Sequence, residues 1–147
     1  MTVKPLALEE IALRGYSHVV TFDYTDLTDT AALTKTLALL PNTMVKNGTR
    51  VSCAGLYVET AFVGCATLTL KVGDGGDDDR FMTLAIADLK TKAYLAAPAS
   101  ITSQPYTYTT ADTVDGLVTA TTDNLTALSA GKAHVFLMVV DETTAFQ

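Results

Sequence analysis

The 147 residues fit one domain, and with 48% hydrophobic residues and a mean hydropathy of +0.27 the chain can bury a substantial core. The net charge is −6 and the ten lysines and arginines are scattered singly, without the basic stripe that neutralises phosphates, so no nucleic-acid partner is expected. No apolar run approaches the roughly 18 residues that cross a bilayer, and Lys4, Glu9, Glu10 and Arg14 stand where a signal peptide would place its apolar centre, so neither a membrane partner nor Sec export is expected.

Residues 1–15 read as an N-terminal arm, extended or, because residues 6–14 (LALEEIALR) have helical character, a short helix. Residues 16–24 alternate as a strand, with Tyr16, His18, Val20, Phe22 and Tyr24 on one side. The next segment has two readings. Leu33, Leu37 and Leu40 stand at helical spacing behind a possible N-cap at Asp29, whereas the alternation of Thr34 and Thr36 favours a strand for the second half; Pro41-Asn42 ends either one. Residues 51–60 alternate on both sides of Gly55, where a glycine inside a strand marks a bulge.

Residues 67–73 (TLTLKVG) alternate most strictly, with Leu68, Leu70 and Val72 on one face and Thr67, Thr69 and Lys71 on the other. An acidic glycine turn follows (DGGDDD, residues 74–79), and residues 80–87 resume as the apolar second strand of a hairpin. Residues 99–110, with Pro105, Tyr106 and Tyr108, read as an edge strand or extended loop, and residues 116–120 and 133–140 as the last strands. Threonine makes up about one residue in six, which suits a pleated, half-exposed surface. Together these signals predict an all-β chain: a single-domain antiparallel β-sandwich over residues 16–147.

Chemistry-bearing motifs are few. The carboxylates of Asp74, Asp77, Asp78 and Asp79 resemble calcium ligands, but their spacing is not that of the twelve-residue calcium loop with its closing glutamate, and a solvated hairpin tip accounts for them. Cys53 and Cys65 form no CxxC pair, and with only His18 and His134 to join them no zinc site is expected. A Cys53–Cys65 disulfide is sterically conceivable, and two buried reduced thiols are the preferred reading. No nucleophile elbow, phosphate-binding loop or dinucleotide glycine pattern occurs, so no enzyme and no cofactor are expected.

One resemblance rests on the order of strands and turns. A first strand ends in Asp26-Leu27-Thr28, a short apolar segment leads to Leu40-Pro41, and a valine-rich strand at residues 51–60 is followed by Ala61-Phe62. Next come Val72-Gly73-Asp74, the acidic turn and Phe81; Gly131-Lys132 precedes the last strand. This order, from about residue 16 to residue 140, resembles the head decoration or cement proteins of tailed bacteriophages.

The resemblance implies a jelly-roll-like sandwich assembled in the host cytoplasm and carried on the virion. It implies a homo-oligomer, with a trimer as one form, that binds the major capsid protein on the outer surface of the shell. Capsid contacts are then expected in the arm at Lys4, Pro5, Leu6 and Leu8, and secondarily at Asp74, Asp77, Asp78 and Asp79. Two other readings stand beside it: a tail, adaptor or fibre-associated virion protein, and a carbohydrate-binding module. The latter requires an exposed aromatic platform, for which Tyr57, Tyr94, Tyr106 and Tyr108 are the candidates.

Overall fold

A computed structural model describes residues 1–83, 88–96 and 104–143. The described residues form strands β1 (Thr2–Pro5), β2 (His18–Asp23), β3 (Thr34–Leu40), β4 (Thr49–Val63), β5 (Thr67–Gly73), β6 (Tyr94–Ala96), β7 (Tyr106–Thr107), β8 (Val114–Thr121) and β9 (Ala130–Asp141), together with the α-helix α1 (Leu8–Arg14). They make an antiparallel β-sandwich. The larger sheet runs β1-β2-β9-β4-β6, with β7 also paired to β4, and the smaller runs β3-β8-β5. From β2 to β5 the chain changes sheet at every strand, and it does so again from β7 to β8 and from β8 to β9.

Alternation explains which side of each strand faces inward. In β2, Val20 and Phe22 are buried while Val19 and Thr21 lie on the outer face; in β9, Ala133, Val135 and Leu137 point inward. The smaller sheet contributes Leu37, Leu39, Leu68, Leu70, Val72 and Val118 to the same core. Each fully buried Leu, Val or Phe contributes about 1.5–3 kcal/mol from loss of water contact.

Residues 34–40 resolve in favour of the strand. Leu37, Leu39 and Leu40 are buried against β8, whereas Leu33, which the helical spacing would have turned inward, is exposed. Gly55 is the bulge in β4, where the pairing with β9 skips between Cys53 and Gly55. A Cβ there would stand 2.7 Å from the Leu95 carbonyl oxygen.

The hairpin expected after β5 is described in part, as antiparallel bridges along the edge of β5 opposite β8. The regular partner of β5 is β8, in continuous register from Thr67↔Thr121 to Gly73↔Asp115. The chain beyond the acidic turn touches β5 through single bridges, Val72↔Met82 and Thr69↔Asp88. Residues 84–87 of the expected second strand, and residues 99–103 of the expected edge segment, lie outside the described residues. Tyr106–Thr107 of that segment does pair with β4.

Both cysteines are free and buried. Cys53 lies near the start of β4 and Cys65 just past its end, so about 30 Å or more of strand separates them, far beyond the 7 Å Cα separation a disulfide allows. Burial pushes the Cys53 thiol up to about 12 and raises that of Cys65 as well. Both thiols are expected to stay unreactive toward a thiol-labelling reagent at pH 8 until denaturant is added; native labelling of either within minutes would contradict this packing.

Candidate functional site

The acidic turn is built around one inward carboxylate. Asp74 is only 5% exposed. Its oxygens accept hydrogen bonds from Arg80 Nε (2.6 Å) and an Arg80 terminal nitrogen (3.3 Å), from the Tyr108 hydroxyl (2.9 Å) and from the backbone N–H groups of Gly76 and Asp77 (3.0 Å each). Burial pulls the Asp74 carboxyl upward, but the bonds from Arg80, Tyr108 and Gly76 outweigh it and hold the group below its ordinary value. Burial and the adjacent Asp74 charge push the Tyr108 hydroxyl far up, so it stays a donor. Gly73 permits the fold-back, since a Cβ there would meet the Asp77 carbonyl oxygen at 2.1 Å.

Arg80 stacks over the Tyr106 ring at 3.8 Å, and Tyr106 meets Tyr108 edge-on at 4.9 Å. Gln104 ties the far side down, accepting from the Cys53 N–H (2.6 Å) and donating to the Phe81 carbonyl (2.8 Å). The description of a solvated tip therefore fits only part of the turn. Asp74 serves the interior, and Asp77, Asp78 and Asp79 form the outward rim.

On that rim the three carboxylates approach within 4.8 Å of one another, and Lys71 Nζ bonds both oxygens of Asp78 at 3.1 and 3.2 Å. The bond with Asp77, partial burial and neighbouring negative charge raise the Asp79 carboxyl. Among the described residues, nothing beyond the acidic cluster itself points to a bound cation.

The N-terminal residues form the second candidate surface. Thr2–Pro5 pairs with β2 as the edge of the larger sheet, placing Lys4 beside Val19 and Pro5 beside His18. Leu6 donates its N–H to the Ser17 carbonyl at 2.8 Å and is half-buried. Helix α1 then carries Glu9 and Glu10 in its first turn and Arg14 in its last, matching the helix dipole. It ends at Gly15, whose left-handed conformation (φ 76°) closes the last turn onto Ile11. No residue of α1 is buried, and Leu8 and Leu13 are 83% and 87% exposed.

A third surface, the outer face of the larger sheet, was not assembled from sequence. Register places Tyr94 of β6, Tyr57 of β4, His134 of β9 and Thr21 of β2 in one row across four strands. His134 Nε2 is 2.6 Å from Glu59 Oε2, its Nδ1 is 2.8 Å from Thr21 Oγ1, and its ring stacks on Tyr57 at 5.9 Å and 14°. Lys132 Nζ lies 3.2 Å from the same Glu59 oxygen. The bond with His134, then that with Lys132, lowers the Glu59 carboxyl. Phe136, one step along β9 on this face, contacts Tyr16 at 4.6 Å and Tyr94 at 6.0 Å.

Of the four tyrosines named from sequence, the structure brings Tyr57 and Tyr94 onto this face, and Tyr106 and Tyr108 into the cluster around Asp74. Tyr16 and Phe136 were missing from that set, although alternation in β9 already puts His134, Phe136 and Met138 on one side. Comparison with protein-family models, curated proteins and solved structures finds no match to this chain.

Proposed function

We propose that this protein is a structural virion component that binds the outer surface of a tailed-phage capsid and reinforces it, with the major capsid protein as its partner. The observation that carries the reading is the pair of leucines on α1, Leu8 and Leu13, almost wholly in water beside the edge strand β1. Such side chains contribute nothing to the core and add apolar area only when a second surface covers them.

Lys4 and Pro5 shape what that surface can be. A charged side chain and a missing N–H make a poor template for indiscriminate strand pairing, which restricts strand addition to the start of β1 and leaves α1 as the main apolar contact. Among the outward acidic residues, Asp77, Asp78 and Asp79 offer negative charge to a basic patch, while Asp74 acts by holding their turn in shape. The strand order also supports the reading: β2-β9-β4-β6 and β3-β8-β5, with successive strands crossing between sheets, suit the jelly-roll-like sandwich that the reading expects. A homo-oligomer suits a symmetric shell, where each added copy multiplies weak contacts by avidity.

Purified protein added to undecorated shells is expected to bind saturably, with on the order of hundreds of copies per particle, against about a dozen for a ringed tail component. The double substitution Leu8→Asp with Leu13→Asp is expected to weaken binding at least about tenfold, the equivalent of about 1.4 kcal/mol. Thermal stability should move little, because α1 buries no side chain. Absence of saturable binding by the unaltered protein would remove the reading.

A further inference from the structure

We infer that the outer face of the larger sheet is a carbohydrate-binding platform centred on Tyr94, taking an uncharged polysaccharide or oligosaccharide. The inference stands on the aromatic face alone and does not depend on the capsid reading.

Tyr94 sits on β6, a three-residue strand at the edge of the sheet, and is 57% exposed. Its position follows from Gly55. A Cβ at Gly55 would stand 3.0 Å from the Tyr94 hydroxyl oxygen and 3.2 Å from the adjacent ring carbon. The tyrosine therefore leans diagonally across the bare backbone of the bulge, toward Phe136, and does not stand off the sheet. Phe136 in turn rests against Tyr16. The result is a continuous strip of three rings, Tyr94, Phe136 and Tyr16, with the stacked pair of Tyr57 and His134 alongside. A pyranose ring presents an apolar C–H face of similar size to one aromatic ring, and stacking on a fixed aromatic needs no reorganisation of the protein.

The polar half of a sugar site lies next to that strip. Glu59 is a half-exposed acceptor held in one place by His134 and Lys132, Lys132 is a half-exposed donor, and Thr21 closes the chain of bonds through His134. Among the described residues, the hydroxyls of Tyr16, Tyr57 and Tyr94 make no hydrogen bond within the protein, so they too face solvent or a ligand. This mixture separates a sugar from a protein partner. A dry protein interface would have to strip water from Glu59, Lys132 and His134, whereas sugar hydroxyls replace that water bond for bond. The net charge of −6 disfavours a polyanionic glycan and leaves an uncharged one.

The test is native electrophoresis in gels containing soluble neutral polysaccharides: hydroxyethyl cellulose, mixed-linkage β-glucan, xyloglucan, galactomannan and dextran. The unaltered protein is expected to be retarded in at least one. Tyr94→Ala, whose ring is mostly in solvent and whose loss leaves the core intact, is expected to lower the association constant about tenfold or more, and Tyr57→Ala to lower it as well. Leu33→Asp, an exposed position beside β3 of the other sheet, should leave retardation unchanged. Three results would overturn the inference: no retardation in any gel, retardation equal in Tyr94→Ala and the unaltered protein, or a concentration-dependent self-association in sedimentation that Tyr94→Ala abolishes. The last would assign the face to a second copy of the chain.

Discussion

Replacing Asp74 with alanine is expected to destabilise the protein by about 3–5 kcal/mol, read as a shift in the denaturant midpoint at unchanged slope. The reason lies in what the substitution strands. The Arg80 guanidinium keeps its charge with its main counter-charge gone, and the Tyr108 hydroxyl loses its acceptor inside the core. Two backbone N–H groups of the turn lose theirs as well. An unpaired buried polar group costs about 1–3 kcal/mol, and more when charged. Asp77→Ala and Asp78→Ala, on the exposed rim, are expected to stay within about 0.5–1 kcal/mol, because surface ion pairs such as Lys71–Asp78 contribute little. Equal losses for Asp74 and Asp78 would contradict the inward orientation.

The same carboxylate sets an acid limb. Its pKa is depressed in the folded state, so its contribution is present above the unfolded value of 3.8 and is lost as pH falls through the lower folded value. Asp115 works in the opposite sense. Burial raises its pKa, so it favours the fold in its protonated form and disfavours it as pH rises through that value. Stability of the unaltered protein alone therefore mixes the two. The difference between it and Asp74→Asn is dominated by the first, with a smaller opposing contribution because Asp115 loses the repulsion of the Asp74 charge, and should shrink as pH is lowered from 5 toward 2.

How far this could be read in the sequence depended on whether a feature is local. The alternation in residues 67–73 needs only the pleat, and it placed Leu68, Leu70 and Val72 in the core. The bulge at Gly55 and the strand at Thr34–Leu40 were legible for the same reason. Partner choice was not. The chain beyond the acidic turn does return along one edge of β5, at Val72↔Met82 and Thr69↔Asp88, but nothing local names β8 as the strand that fills the other edge. The turn itself hid a division of labour: four aspartates look equivalent in sequence, and the approach of Tyr108, 34 residues away, joins the bonds from Arg80, Gly76 and Asp77 to separate Asp74 from the others. The outer face is the extreme case. Glu59 and His134 are 75 residues apart, and Thr21 and His134 are 113 apart. A slip of one residue in β9 would send His134 to the core, so that face exists only once the register is known.

Gly131→Ala should be nearly as damaging as the loss of Asp74, at about 3–5 kcal/mol, for two reasons that a second substitution separates. Gly131 has φ 142°, a conformation that side-chain-bearing residues rarely adopt, and a Cβ there would stand 2.2–2.7 Å from ring carbons of Phe62. Phe62 cannot swing away. It is fully buried, its ring packs on Phe22 at 5.9 Å, and its N–H is tied to the Leu89 carbonyl at 3.0 Å. Phe62→Ala alone leaves a large cavity and is expected to cost about 3–5 kcal/mol. In the double variant the atoms that the new methyl group would meet, Cγ, Cδ1 and Cδ2 of Phe62, are gone, so the collision disappears and only the backbone strain remains. The double variant should therefore be more stable than the sum of the single effects predicts, by about 1–3 kcal/mol. Strict additivity would mean that the cost of Gly131→Ala is backbone strain alone, and that the ring of Phe62 does not close over Gly131 as the structure has it.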